Sequence, residues 1–271
     1  MPAPPIPRLV AGVALVLGTA CASPQPVVSR MASINGIRMY YETRGHGPVL
    51  VLLHGGNGNG SQFANQVRAF ETRHRLVIPD MCAQGRTSDR PGPLSYHAMA
   101  EDVIALMDLL RVRHFDVMGW SDGGDTGLDL AIHHPDRIQH LVTFGANFSP
   151  TGLNPPDVAW NDTATASAFG DGGRADWQRL SPEPDHWAEA MNKIIAMWRT
   201  QPQFTPGQLG SIKANTLICA GEHDLIRRDH TEQLARTIPG ARLWIVPGAT
   251  HGAMLEKPRL VNPRVLEFLS R

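Results

Sequence analysis

The sequence predicts an α/β domain: a mostly parallel sheet covered by helices on both faces, with a helical insertion folded over one end. Three observations carry this reading. From about Ala32 onward, short apolar runs alternate with longer stretches of helical spacing. Strands separated by helix-length segments pair in parallel, and a parallel sheet buries both of its faces. Between about Ser149 and Ser211 the rhythm stops, and the segment turns rich in Pro, Gly and Asp. The chain's 271 residues, 42% of them hydrophobic, suffice for one large core.

Each element has its own signal. Ile37–Tyr41 follows an Asn35-Gly36 turn and reads as the second strand of a hairpin. Val49–Leu53 is a solid apolar run that ends at His54-Gly55-Gly56, and Arg75–Ile78 is another that ends at Pro79-Asp80. Met99–Leu110 has helical spacing, and His114–Met118 is a strand that runs into Gly119. Gly123–His133 reads as a helix, Ile138–Phe144 as a strand. Two late strands, Thr216–Ala220 and Leu243–Val246, precede a closing helix at about Asn262–Leu269. The core is thus expected in two parts, 32–148 and 212–271. The insertion, 149–211, carries four of the six Trp, too many for a disordered linker, and His186–Trp198 in it looks helical.

The first twenty residues read as an export signal. Arg8 supplies a positive charge, and Leu9 to Ala20 is an apolar run that ends in small residues, too short for a stable bilayer span. Leu17-Gly18-Thr19-Ala20-Cys21 is similar to a lipobox, which implies lipidation of Cys21 and a membrane tether; Ala20-Cys21-Ala22 equally suits ordinary cleavage. Residues 21–31 are expected as a linker. The protein is therefore expected outside the cytoplasm, as a periplasmic, membrane-anchored or secreted form.

Composition excludes some functions. Lys+Arg and Asp+Glu are both 25, and there is no basic run with interleaved aromatics, so nucleic acid is not an expected partner. In the mature body Cys82 and Cys219 remain; a disulfide between them is open in an oxidising compartment, with a buried inert thiol the default for Cys219.

The chemistry centres on Gly119-Trp120-Ser121-Asp122-Gly123, a G-x-S-x-G pentapeptide between a strand and a helix. A strand that turns sharply into a helix exposes the Ser121 hydroxyl, and small residues two before and two after relieve the crowding. A serine hydroxyl needs a base, and the base needs an orienting carboxylate. Asp224 follows strand Thr216–Ala220 and His251 follows strand Leu243–Val246, both in loops at carboxyl ends of parallel strands. Glu222 is the alternative acid. His223 reads as a packing residue, and His230 lies in a helix-like polar stretch. Attack on a carbonyl also needs two amide donors for the oxyanion. Asp122 supplies one; His54-Gly55-Gly56-Asn57-Gly58 supplies the other, at Gly56 or else Asn57. That glycine loop lacks the Lys-Ser/Thr of a phosphate-binding loop. Asn57, Trp120 and Asp122 are the expected substrate-binding positions. No metal or organic cofactor is called for.

From Ala32 to its end the chain resembles the α/β-hydrolase superfamily, on the elbow at Ser121, the order Ser121, Asp224, His251, and the glycine loop. The resemblance implies eight strands, a helical cap at 149–211 and carboxylic-ester hydrolysis; lactone, amide or C–C hydrolysis, perhydrolysis and non-catalytic ligand binding stand as alternatives. Asp80 to Ser88 is similar to the family's D-x-R-G-x-G-x-S stretch, with Cys82-Ala83-Gln84 departing from it. The elbow is most similar to that of the biphenyl-hydrolase-like branch, which includes valacyclovir hydrolase. There the acid after the serine recognises an amino group, which assigns Asp122 as an amine-binding carboxylate. Its competing role is to favour the positive end of the helix it opens.

Overall fold

The computed structural model describes residues 27–271; the segment expected as an export signal, and Cys21, lie outside the described residues. The chain enters as a hairpin of β1 (Val28–Ile34) and β2 (Ile37–Arg44). Asn35 and Gly36 take φ of 45° and 84°, the two left-handed positions of a type I′ turn. β1 begins at Val28, within the stretch expected as linker. It is an edge strand with most residues exposed, so burial imposes no alternation on its sequence.

The core continues through β3 (Val49–Leu53), α1 (Ala64–Phe70), β4 (Arg75–Pro79), α2 (Tyr96–Leu109), β5 (Phe115–Trp120), α3 (Asp122–His133) and β6 (Ile138–Phe144). The insertion follows as α4 (Pro155–Thr163), α5 (Gly170–Leu180), α6 (Trp187–Thr200) and α7 (Pro206–Gly210). The core resumes with β7 (Asn215–His223), α8 (Arg228–Thr237), β8 (Arg242–Thr250), α9 (Ala253–Glu256) and α10 (Pro258–Leu269). The eight strands form one sheet in the order β1-β2-β4-β3-β5-β6-β7-β8, in which β2 alone runs against its neighbours. Among the described residues no helix is long and apolar enough to cross a membrane.

Both faces of the sheet are buried along its central strands, which is why these read as unbroken apolar runs. Leu50 and Leu52 of β3 pack with Phe63, Phe70 and, from α10, Val261 and Val265. Val51 and Leu53 point the other way, onto Met99 and Val103 of α2 and Leu128 of α3. Cys82 belongs to the second layer and Cys219 to the first, and both thiols are free and buried. The disulfide left open by the sequence is therefore not formed; the sheet separates the two residues. Burial pushes the Cys82 thiol up to about 11 despite Arg90 beside it.

The insertion is a folded helical cap. Trp177 and Trp187 are buried with ring centroids 5.7 Å apart, and Phe169 meets Trp160, Trp187 and Trp198 at 6.0–6.1 Å. This aromatic core replaces the missing strands. Asp89, in the loop before α2, ties the cap down by accepting from Lys193 Nζ (2.7 Å) and from His186 Nε2 (3.0 Å), both cap side chains.

Candidate active site

The peptide between β5 and α3 is strained. Ser121 sits at φ 54°, ψ −122°, a region an L-residue occupies only when its surroundings force it. The residues two away explain how this is tolerated. A Cβ on Gly119 would collide with the Gly123 carbonyl, and one on Gly123 with the Leu53 carbonyl. The turn is pinned by Ser121 N–H donating to Phe144 O (2.8 Å), and by Gly124 and Asp125 N–H donating to Ser121 O (2.7 and 3.0 Å).

His251 follows β8, and its Nδ1 lies 2.7 Å from Asp224 Oδ1. Asp224 also accepts from Gly221 N–H and Ile226 N–H, both at 3.1 Å. Burial raises the Asp224 carboxyl, but the His251 hydrogen bond and charge and those two amides outweigh it and hold the group below its ordinary value. With Nδ1 donating to a carboxylate, the neutral ring keeps its lone pair at Nε2. Glu222, the alternative acid, is exposed and accepts from Gly248 N–H instead (2.7 Å).

Ser121, Asp122, Trp120, His251, Gly55 and Gly56 line one cavity of about 260 Å³, closed on the cap side by Trp160 and Trp198. In the glycine loop, Gly55 N–H already donates to Gln62 Oε1 (3.1 Å) and Gly58 N–H to Gln84 Oε1 (3.4 Å). Gly56 comes within van der Waals distance of the Asp122 carboxylate and the Trp198 ring. His54, fully buried, fixes this loop: its Nε2 accepts from Met81 N–H (2.9 Å) and its Nδ1 lies 2.8 Å from Gly55 O. Asp80 steadies the loop from below, accepting from Gly60 N–H (2.8 Å) and Arg86 Nε (2.7 Å); the departure at Cys82-Ala83-Gln84 is taken up by Ala83 at φ 59°. Asn57 turns towards Gly173 of α5, and the cavity is lined without it.

Asp122 is the first residue of α3, and its carboxylate is buried. Trp198 Nε1 of the cap donates to both of its oxygens (2.9 Å each), and Tyr96 Oη donates to Oδ1 (3.1 Å). Burial pushes this carboxyl up to about 6, against the pull of those donors. Asp125, one turn on, is raised well above the ordinary carboxylate range by burial and then by Asp122.

Several contributors have no motif. Gly145 takes φ 62°, and a Cβ there would lie 2.6 Å from the His251 ring. Asn154 Nδ2 donates to the Asp224 and Leu225 carbonyls (2.9 and 3.0 Å), while Trp120, a residue of the elbow itself, lines the cavity as expected and donates Nε1–H to the His251 carbonyl (2.8 Å). His230 is buried in α8, stacked on Phe148 at 3.7 Å, and its Nε2 accepts from Phe148 N–H (3.1 Å). It anchors the start of the cap.

A doubly covered parallel sheet, a strained serine at the end of a central strand, and a carboxylate-held histidine facing the same cavity define a serine hydrolase in arrangement. Residues 48–186 match the family described as alpha/beta hydrolase fold, and the chain belongs to that family. It is 30% identical to RutD of Caulobacter sp. (strain K31), named provisionally as a carbamate hydrolase, over 86% of this chain and 96% of that protein. The serine hydrolase BPHL of Mus musculus is 29% identical, over 90% of this chain and 87% of its own. The crystal structure of an enol-lactonase from Burkholderia xenovorans LB400 superposes with a TM-score of 0.73 at 25% identity, covering 89% of this chain and all of that one.

Proposed function

We propose that this protein hydrolyses carboxylic esters of small molecules. The observation that carries the reading is His251, held by Asp224 at 2.7 Å and lining the same cavity as the strained Ser121. Ser121 Oγ attacks the acyl carbon while His251 Nε2 takes its proton. The amides of Asp122 and Gly56 hold the oxyanion, a contribution of about 3 kcal/mol per donor. His251 then protonates the departing alcohol, and water, deprotonated by the same ring, cleaves the acyl-enzyme. Asp224 orients the imidazole and stabilises its cation.

Trp160 and Trp198 form the apolar wall that takes the acyl or alcohol portion. Asp122 contributes its amide, while its carboxylate, already held by Trp198 and Tyr96, acts as a strut between elbow and cap. That engagement favours the strut over a free anion for an amine; Asp122→Ala is expected to leave the preference for aminoacyl esters unchanged.

A p-nitrophenyl ester assay and fluorophosphonate labelling of wild type against Ser121→Ala test the mechanism. Activity and labelling confined to wild type support it; equal activity in both overturns it. The relatives act on different acyl-type bonds by name, so a panel of esters, lactones, amides and C–C substrates decides the bond: a lactone or C–C substrate turned over far faster than any ester overturns the ester assignment. The N-terminal segment further supports export, with Cys21 as a lipid anchor. Fractionation of cells expressing wild type and Cys21→Ser tests this: membrane recovery lost in the variant supports the anchor, and cytoplasmic recovery of both overturns export.

A further inference from the structure

Far from the cavity, the seam between α2 and α3 carries a second cluster of chemistry-bearing side chains. His97 lies in the first turn of α2; Asp129 and His133 lie one turn apart on the last stretch of α3. The two imidazoles converge on one atom: His97 Nδ1 and His133 Nδ1 are each 2.9 Å from Asp129 Oδ1. Their rings are 4.5 Å apart at 57°, so neither blocks the other's approach. All three ligand atoms lie within 4.8 Å of one another. Counted along α3 at ~1.5 Å per residue, His133 is about 18 Å from Ser121. The cluster is no part of the ester-cleaving machinery.

We propose that His97, Asp129 and His133 form a surface site for one divalent cation of the borderline class, zinc above all, that clips α2 to α3. Four-coordinate zinc with bonds of ~2.0–2.1 Å sets neighbouring ligand atoms about 3.3 Å apart. The 2.9 Å spacings therefore need to open by only a few tenths of an ångström. Asp129 is 5% exposed at its side chain, whereas His97 and His133 are 55% and 36% exposed. A fixed anion thus lies at the floor and two imidazoles at the rim, with the fourth position open to water. Each neutral ring can coordinate through Nδ1 by carrying its proton on the exposed Nε2, so no buried group has to change charge.

The donor set decides the metal. Two imidazole nitrogens and one carboxylate oxygen suit zinc, nickel or copper, whereas magnesium and calcium demand oxygen cages. The backbone is already organised: Asp129 and His133 are an i, i+4 pair, and a second cross-seam contact, His134 Nε2 to Glu101 Oε1 at 2.6 Å, holds the same two helices together. Binding therefore orders little beyond three side chains.

Calorimetric titration of the chelator-treated full-length protein with zinc, and separately with magnesium, tests the site. One zinc per chain, no saturable magnesium binding and a zinc-dependent rise in Tm are expected. His97→Ala and His133→Ala should each weaken zinc by more than about tenfold and remove the Tm rise. Because both side chains are exposed, His97→Gln and His133→Gln provide the same test should either alanine variant fold poorly. Cobalt(II) substitution gives an independent readout, a tetrahedral absorption band present in wild type and absent in the His97→Gln/His133→Gln variant. Absence of one-to-one binding overturns the site. So does zinc or cobalt binding that persists in the double variant, which places the ion elsewhere, or equal binding of magnesium.

Discussion

Asp122 lines the cavity and Asp224 stands behind His251, which lines it too, and the protein treats the two acids in opposite ways. Asp122 is enclosed by neutral donors, an indole and a phenol, and burial drives its carboxyl up to about 6. Asp224 is also buried, yet it faces an imidazole and two backbone amides, and its carboxyl is held below the ordinary value. Burial alone therefore does not set the charge of a carboxylate; the hydrogen bonds and charges that face it decide. The acid beside the histidine stays anionic where an imidazolium must form. The acid beside the serine is free to be neutral where the indole of Trp198 closes over it from the cap.

The largest expected effect comes from removing the anion. Asp224→Asn should cost about 10⁴-fold in kcat on a p-nitrophenyl ester with KM little changed, by loss of the productive tautomer and its counter-charge. A loss under about tenfold would break the contrast, by making Asp224 no more than a positional group. Next is Asp122. Its carboxyl rises on folding, so between pH 4 and 6 the native state holds a proton the unfolded chain releases, and stability falls as pH climbs through that window. The cost to the anionic form is on the order of 3 kcal/mol above pH 6, from a displacement of ~2 pH units at 1.36 kcal/mol each. Asp122→Asn is expected to flatten this contribution in urea unfolding measured across pH. An unchanged slope would show that the site's donors fully compensate burial.

His230 gives the opposite slope in the same window. Burial lowers its imidazole to about 4, so the unfolded chain binds the extra proton and stability rises with pH from about 4 to 6.5. His230→Gln should remove that rise and loosen the cap stalk at Phe148, read as faster proteolysis of the cap. A smaller effect is expected of Trp198→Phe. It deletes a donor worth about 1.5–3 kcal/mol to a charged partner and moves the Asp122 midpoint further up. Glu222→Gln, beside Asp224 in sequence but facing solvent, should change stability by less than about 0.5 kcal/mol and leave kcat unchanged.

What the sequence displayed and what it concealed divide along physical lines. The elbow, the strand ends and the sheet's central strands were legible because a local backbone need or two-sided burial writes itself into adjacent residues. Gly119 is demanded by the Gly123 carbonyl within the same turn, and Gly123 by the Leu53 carbonyl at the end of the neighbouring strand β3. The Asn35-Gly36 turn implied a first hairpin strand, but the extent of β1 was not legible because an exposed edge imposes no pattern; α1 was missed because its buried apolar positions, Val67 and Phe70, span only one turn. Tyr96, Trp198, Asn154 and Gly145 act on the site only through contacts made across the fold, from α2, the cap and the β6 exit. No spacing along the chain announces them. His230 lies in a stretch that reads as a polar helix; Phe148 stacked on its ring and Gly152 packed against it, both at the start of the cap, are what bury it.

Gly145 carries a consequence for altering this protein's selectivity. It is where the sheet hands the chain over to the cap, and the His251 ring occupies the volume that any side chain there would fill. The mouth of the cap and the general base are thereby fitted to each other like a hinge pin and its sleeve. Redesign of the stalk at this point would move the imidazole along with it. Substitution at Trp160, which lines the same cavity from farther along the cap, is expected to reshape the substrate space and leave the Asp224–His251 geometry in place. The fold thus separates a part that must be inherited whole from a part that is open to variation, and the boundary between them is one residue wide.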